Sequence, residues 1–154
     1  MPKPQLCPCT SGLSYRACCA PFHAGGEPPD PRTLVRSRYA AFALKEAAYL
    51  VRTLDAAHPD RALDATLYTR AIKDGQLRYM GLTLLDAEDV DEVGVARVLF
   101  LAKIFERGRD RSFVELSDFR HDGTGWRYLA GINVAARELP AGGAGLTIAR
   151  FRQG

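Results

Sequence analysis

All four cysteines of the chain lie within 13 positions near its N-terminus, at Cys7, Cys9, Cys18 and Cys19. A disulfide between the adjacent residues Cys18 and Cys19 would need a strained ring, and a bridge between Cys7 and Cys9 is nearly as short. Two close pairs of thiolates instead suit a tetrahedral zinc ion, which binds sulfur at about 2.3 Å. The spacing therefore predicts one structural zinc ion bound by these four cysteines.

Other residues around the cysteines are expected to complete the zinc site. His23 follows Cys19 by four residues and is a fifth candidate ligand, although we expect Cys19 to take that position. Four thiolates around one zinc ion carry a net negative charge, which we expect Arg16 or Lys3 and nearby backbone N–H groups to offset. The segment between the pairs must turn back, and Gly12 permits the backbone conformation that such a turn needs.

The segment CPCTSGLSYRACC resembles the SEC-C zinc motif, first noted at the C-terminus of the bacterial preprotein translocase motor. That motif reads CPCGSG, then a short basic or aromatic stretch, then CC or CH. The four cysteines fall on its four ligand positions, and Ser11, Gly12 and Tyr15 also match. Thr10 stands where the motif usually has glycine, which removes no ligand. The resemblance implies the same zinc site as the spacing does.

Helix-forming residues follow the cysteines, and strand-forming residues fill the second half of the chain. Asp30 before Pro31 is typical of a helix start, and residues 32–54 lack glycine and proline, which predicts about six turns with a weak point at Lys45–Glu46. A second helix is expected over 61–73. Strands are expected over 77–88, 93–107, 111–121 and 126–135. Helices followed by four strands in hairpin order predict an α+β fold with an antiparallel meander.

Several longer segments resemble the YchJ family of small bacterial proteins. The resemblance covers about residues 5–131 and includes DPRTLVRSRYAAF, GLTLLDAEDVDEVGVARVLFLAKI and ELSDFRHDGTGWRYLAG. It implies a cone-shaped domain of the nuclear-transport-factor-2-like or cystatin-like type, with a curved antiparallel sheet of about four strands packed on helices. Many members carry a second SEC-C motif at the C-terminus, whereas this chain has no cysteine there. Ala130 stands where relatives often have aspartate.

These inferences divide the chain into three parts. We assign residues 1–26 to the zinc knuckle, 30–136 to the cone domain and 137–154 to a C-terminal tail that begins with a flexible Gly/Ala stretch. A knuckle of this length cannot bury a core of its own, so its fold is expected to depend on the metal. The segment 31–135 holds the long apolar stretches and is expected to fold without metal.

Polar residues of the predicted sheet mark a candidate pocket. Strand alternation places Glu115 and Ser117 on the same side as Phe113 and Phe119. If these phenylalanines face the helices, Glu115 must face them too, and a buried carboxylate needs a partner. A structural ion pair is the competing interpretation for Glu115, and Trp126 and Tyr128 are expected in the core. The possible pocket residues are Arg38, Tyr39, Arg97, Glu115 and Ser117.

The sequence leaves three functions open. A closed four-thiolate zinc site has no open position for catalysis, which favours a protein-interaction module that docks a partner through the knuckle. A small-molecule binder or enzyme that uses the cone pocket is the first alternative. The second is nucleic-acid binding through the knuckle, but only two basic residues precede residue 30. No phosphate-binding loop or nucleophile elbow is present, so we favour a protein that is not an enzyme.

Net charge and hydropathy indicate which partners and which cellular location to expect. The net charge of +3 is too small to argue for nucleic acid by itself. No segment approaches the roughly 18 consecutive apolar residues of a membrane span, and the N-terminus has no apolar run long enough for a signal peptide. We therefore expect a cytoplasmic protein with no membrane partner. That reducing compartment favours metal over disulfides.

Overall fold

The computed structural model describes residues 5–62 and 65–153. A curved antiparallel sheet forms the centre of the fold, with strand order β1-β2-β4-β5 and a short β3 paired to β2. The strands are β1 (Leu77–Glu88), β2 (Val95–Glu106), β3 (Arg109–Asp110), β4 (Phe113–His121) and β5 (Trp126–Ala135). This confirms the predicted α+β fold with an antiparallel meander, because consecutive long strands are neighbours. Within the described chain, no helix has the length and hydropathy needed to cross a bilayer.

Bulges interrupt the strand register at three places and bend the sheet. They fall between Tyr79 and Gly81 and between Leu84 and Asp86 in β1, and next to Asp118 and Phe119 in the β4–β5 pairing. The third bulge matters most for the candidate pocket. Asp118 pairs with Ala130 whereas Phe119 pairs with Tyr128, so Leu129 is the extra residue.

Helices precede the sheet, as expected. They are α1 (Ala20–His23), α2 (Pro31–Leu44), α3 (Ala47–Arg52), α4 (Ala65–Asp74) and, after the sheet, α5 (Ile148–Gln153). Asp30 accepts a 2.8 Å hydrogen bond from the backbone N–H of Thr33 and caps α2, and Pro31 opens the helix. The long helix ends at its weak point, because Lys45 adopts a left-handed φ of 60°. The predicted helix over 61–73 is observed from residue 65; residues 63 and 64 lie outside the described residues.

The concave face of the sheet packs on α2 and on the knuckle. One buried cluster contains Leu34, Val35, Tyr39 and Ala40 of α2 with Leu82, Val98, Ala102 and Phe119 of the strands. The same cluster includes Cys7, Cys9, Tyr15 and Cys19. The described part of the knuckle therefore shares the hydrophobic core of the cone domain.

The convex face of the sheet is covered by the C-terminal tail. Leu99, Leu101, Val114 and Leu116 pack there with Ala136 and Ile148. The Gly/Ala stretch, which we expected to be flexible, approaches this face at Gly143, where a Cβ would overlap the Val114 side chain. The residues after the glycines shield the apolar convex face from water, which is favourable for folding.

Candidate metal centre and cone cavity

A hairpin and two short helices bring the four cysteines together. Leu6 and Ser14 form an antiparallel bridge, the Cys7 N–H donates to the Leu13 carbonyl at 2.9 Å, and Gly12 between them has φ 88°. A 3-10 helix, Tyr15–Ala17, then leads into Cys18 and Cys19 ahead of α1. The first pair of thiols thus lies in the hairpin loop and the second pair at a helix junction.

The four thiols form a compact set of metal ligands. All four Sγ atoms lie within 4.8 Å of one another. Cys9 Sγ is 3.5 Å from Cys18 Sγ, which is 3.8 Å from Cys19 Sγ. A tetrahedron with metal–sulfur distances of about 2.3 Å has sulfur–sulfur edges of about 3.8 Å, so the donor set fits one thiophilic cation. Cys7, Cys9 and Cys19 are buried and Cys18 is partly exposed.

The surroundings of the thiols also suit a cation. The pKa of Cys9 falls well below that of a free thiol because Cys19 and then Cys7 donate hydrogen bonds to its thiolate, and the pKa of Cys19 rises because it donates to Cys7 and Cys9. Thiols this close share protons, and a metal ion would replace those protons. Arg36 Nη1 donates to the Cys9 carbonyl at 3.2 Å. Arg36, which the sequence analysis did not assign to this site, therefore brings positive charge to the thiols. Of the two expected basic residues, Arg16 is exposed and Lys3 lies outside the described residues.

His23 has a structural role instead of a ligand role. Its Nε2 is 2.8 Å from the Ser37 carbonyl, which can only accept, so Nε2 carries the hydrogen and Nδ1 accepts from the Tyr15 hydroxyl at 2.7 Å. Both ring nitrogens are thus engaged with protein groups. The bond to Ser37 ties α1 to α2.

Thr10 attaches the knuckle to the edge of the sheet. Its backbone φ of 60° lies in the left-handed region that favours glycine. Its hydroxyl accepts from the Leu82 N–H at 3.1 Å and lies 3.2 Å from the Leu82 carbonyl. The threonine that replaces the usual glycine of the motif therefore has a strained backbone conformation, and its side chain forms hydrogen bonds with β1.

A cavity of about 370 Å³ lies between the concave face and α2. Four of the five predicted pocket residues line it: Arg38, Tyr39, Glu115 and Ser117. Its other polar wall groups are His58, Asp60, Tyr79 and Tyr128. The other described wall residues are aliphatic and aromatic, so a few polar groups converge in an apolar space, the usual composition of a ligand site.

Glu115 is the central polar group of the cavity, with 8% of its surface exposed. Its Oε2 accepts a 2.6 Å hydrogen bond from Ser117 Oγ and a 2.7 Å bond from the Tyr128 hydroxyl. We expected a contact with Arg38, Tyr39 or Arg97, whereas its hydrogen bonds in the described structure go to these two hydroxyls. Burial and the neighbouring Glu115 carboxylate raise the pKa of Tyr128, so its hydroxyl remains a donor.

The polar groups of Arg38 and Tyr39 form hydrogen bonds with other parts of the protein. Arg38 Nη1 donates to the Leu50 carbonyl at 2.9 Å and to Thr53 Oγ1 at 2.7 Å. Its guanidinium lies 4.8 Å from the centroid of the Tyr128 ring. The Tyr39 hydroxyl accepts from the Gly81 N–H at 2.8 Å and donates to the Lys103 carbonyl at 3.2 Å, which secures the first bulge of β1.

Arg97 does not belong to the pocket, and its prediction is wrong. Its guanidinium pairs with Asp91 at 3.0 Å and with Asp118 at 3.2 Å. Val98 is the β2 residue that faces Ser117 across the strands, so Arg97 points to the convex side. The register of β2 against β4 decides this orientation, and alternation within one strand does not reveal it.

Tyr128 is a candidate site residue that sequence reasoning assigned to the core. The bulge at Leu129 places Tyr128 and Gly131 on the same side of β5, although an uninterrupted strand would place them on opposite faces. Gly131 gives Tyr128 room to reach Glu115, since a Cβ at residue 131 would lie 2.7 Å from Glu115 Cδ. The glycine itself was the only available sequence signal for this close approach.

Comparison with known proteins supports the fold and the cysteine motif. The profile described as "YchJ, middle NTF2-like domain" matches residues 30–131. The UPF0225 protein YchJ of Shigella dysenteriae serotype 1 is 35% identical over 130 residues, which is 82% of each chain. A solution structure of a SEC-C motif containing protein from Rhodopseudomonas palustris has a TM-score of 0.68 and 31% identity, and covers 83% of this chain and 98% of that one.

A crystal structure of a SEC-C motif containing protein from Psychrobacter arcticus has the same fold. Its TM-score is 0.67 with 24% identity, and the match covers 96% of this chain and 94% of that one. The similarity therefore extends over the knuckle and the C-terminal segment as well as the sheet.

Proposed function

The chain belongs to the YchJ family, and we propose that it is a zinc-stabilised binding protein whose cone cavity accepts a small molecule. Two sites have separate roles in this proposal. The four thiolates hold a structural zinc ion that fixes the knuckle against the sheet. The cavity between the sheet and α2 is the functional site.

The donor set supports zinc as the metal and structure as its role. Four cysteine sulfurs around one position satisfy tetrahedral zinc and leave no open position for water or substrate. Thiolate ligands also need a reducing environment, which supports a location in the cytosol. The metal would hold Cys7 and Cys9 in the core cluster that they share with α2.

The polar centre of the cavity carries the proposal of ligand binding. Within the described structure, Glu115 accepts both of its hydrogen bonds through Oε2. No buried side-chain polar atom of the described residues lacks a partner, so Oε1 retains access to the cavity. An unpaired carboxylate oxygen in a filled apolar core would lower the stability of the fold. At the wall of a cavity of about 370 Å³, the same oxygen can bind a ligand.

Docking of a protein partner through the knuckle is a second candidate, supported by two exposed leucines. Leu6 is 63% exposed and Leu13 is 53% exposed, and both lie in the hairpin that carries Cys7 and Cys9. Two exposed apolar side chains on one small hairpin suit a protein contact. Replacing both leucines with serine should abolish such a contact while metal content stays at one ion per chain.

Metal analysis tests the zinc proposal. Protein purified without added zinc should contain one equivalent of zinc, and Cys9→Ser should reduce that content. A folded protein that contains no metal and four reactive thiols would contradict the proposal. One equivalent of a different thiophilic metal would support the metal site but show that the ion is not zinc.

A neutral aromatic probe tests the cavity. Titration of 2-phenylethanol into ¹⁵N-labelled protein should shift backbone amide signals of residues along the cavity wall, such as Ala102 and Phe113. The variant Ala102→Phe fills the cavity and should abolish these shifts, because Ala102 is 2% exposed and lines it. Ala130→Phe adds the same ring at an exposed position and serves as the control. Equal binding by both variants would place the probe elsewhere.

A further inference from the structure

On the premise that the cavity binds a small molecule, we propose that this molecule carries a protonated amine on an apolar body and that the amine binds Glu115. The site would take the ammonium group at Oε1 of Glu115 and the apolar body among the surrounding rings. Hydrogen-bond direction, wall charge and ring placement each favour this class of ligand.

The hydrogen bonds of Glu115 favour a ligand that carries a hydrogen-bond donor. Ser117 and Tyr128 both donate to Oε2, so that oxygen is occupied as an acceptor. In the part of the chain that the structure describes, no side chain or backbone group donates to Oε1. The lone pairs of Oε1 are therefore open to an N–H or O–H of a ligand. An ammonium forms the stronger bond, because charge-assisted hydrogen bonds are roughly twice as strong as neutral ones.

The charges of the wall favour a cation over an anion. Among the wall residues that the structure describes are two carboxylates, those of Glu115 and Asp60, and one guanidinium, that of Arg38. Arg38 Nη1 donates to the Leu50 carbonyl and to Thr53, at the C-terminal end of α3. A helix C-terminus attracts positive charge, so part of the field of Arg38 is compensated within the protein. In the part of the wall that the structure describes, carboxylates therefore outnumber guanidinium groups by one.

Aromatic rings around Glu115 suit the same ligand. Phe113 and Phe119 share its strand face, and Phe100 is its partner across β2. A cation near such rings is attracted by their negative faces, and a low-dielectric wall strengthens this attraction. The apolar part of the ligand would pack against the same rings.

Three probes of similar size and different charge test the proposal: 2-phenylethylamine, 2-phenylethanol and phenylacetate. Binding to the full-length, metal-loaded protein is measured by calorimetry near neutral pH. The amine should bind about tenfold tighter than the alcohol, the ratio expected of a charge-assisted hydrogen bond, and phenylacetate should bind weakest. In Glu115→Gln, the ratio of amine to alcohol affinity should fall towards one.

Asp118→Asn is the matched control for the charge change. Asp118 lies on the same strand but pairs with Arg97 on the convex face, so the ratio should persist in this variant. Equal binding of amine and alcohol to the natural protein would overturn the amine proposal and leave cavity binding intact. Tighter binding of phenylacetate would overturn it in favour of Arg38. Failure of all three probes to bind in the cavity would count against the proposed function itself. The comparison of probes on the natural protein remains decisive if Glu115→Gln does not fold.

Discussion

The Tyr128 hydroxyl donates a 2.7 Å hydrogen bond to Glu115 from the adjacent strand. This bond depends on the bulge at Leu129, which turns Tyr128 to the concave face, and on Gly131, whose missing side chain leaves room for both groups. The polar centre of the cavity is therefore produced by the irregular part of β5. A regular strand of the same length would not place the two groups together.

Gly131→Ala should disrupt this centre. The added Cβ would overlap Glu115 Oε2 and the Tyr128 hydroxyl, so one of them must move. We expect a loss of about 1–3 kcal/mol in the free energy of unfolding, typical of overpacking, together with weaker binding of cavity ligands. Urea unfolding and probe titration measure the two effects.

Gly81→Ala is the control for Gly131→Ala. Gly81 also lies in a strand next to a bulge, but a Cβ there would meet no atom within 4 Å. Its stability should change by less than about 0.5 kcal/mol. Similar losses in both variants would mean that the general cost of replacing a strand glycine, and not the contact with Glu115, decides the result.

Removal of the metal should destabilise the whole fold and not the knuckle alone. The sequence predicts a modular knuckle, but Cys7, Cys9 and Cys19 share their buried cluster with Leu34 and Tyr39 of the cone domain. Removal of the metal by a chelator, or Cys9→Ser, should therefore lower the melting temperature of the single transition. A loss of about 3 kcal/mol corresponds to about 10 °C for a chain of this length.

Amide hydrogen exchange locates the effect of metal removal. Protection should fall in α2 and at Leu82 of β1, where Thr10 pairs with the strand, as well as in the knuckle. Loss of protection confined to residues 5–26 would support the modular prediction instead. Restored protection after zinc is added back controls for irreversible damage.

A buried tyrosine, Tyr39, and a half-buried one, Tyr79, should make the protein sensitive to alkali. Burial raises the pKa of Tyr79 to about 12, and burial is also the main reason that Tyr39 is raised to about 12. Tyrosine in the unfolded chain ionises near pH 10, so above that pH the unfolded state releases protons that the folded state retains. Stability is therefore unaffected by these groups below about pH 9 and falls between about pH 10 and 12, by about 1.4 kcal/mol per pH unit for each tyrosine.

Tyr79→Phe isolates one of these groups. Its unfolding free energy, measured in urea from pH 8 to 11, should fall less steeply above pH 10 than that of the natural protein, by about the contribution of one proton. The cysteines are the same in both proteins and cancel in the comparison. Parallel curves would show that Tyr79 ionises normally in the folded state.

Local signals in the sequence predicted the elements well. Strand-forming residues bounded by glycine turns located β1 and β5 as the structure has them, and the weak point at Lys45–Glu46 separates α2 from α3. The cysteine spacing predicted which four side chains meet. These features depend on short-range chemistry that a single sequence displays.

Features that depend on pairing between distant segments were missed. Arg97 was placed on the wrong face because the β2–β4 register fixes its direction. Tyr128 was assigned to the core because nothing in the sequence reveals the extra residue at Leu129. The packing of the tail was not predicted, because the glycines do not reveal the apolar sheet face against which the following residues lie.

Docking of the tail can be tested with two isoleucines. Ile148, in α5, is 1% exposed and packs with Leu99 and Leu116 on the convex face. Its backbone N–H donates a 2.9 Å hydrogen bond to Asp86, which anchors the start of the helix to β1. Ile148→Ala should lower the free energy of unfolding by about 2–4 kcal/mol, because it removes buried methyl groups and leaves a cavity.

Ile132→Ala provides the matched comparison. Ile132 faces the same side of the sheet, opposite Leu116 in β5, but is 66% exposed. The same substitution there should cost less than about 0.5 kcal/mol in urea unfolding. A small and equal effect at both positions would mean that the tail does not cover the sheet in solution, and the convex face would then need another cover. A large effect at Ile148 alone would support residues 136–153 as part of the folded core, because Ile148 is buried only where the tail packs against the sheet.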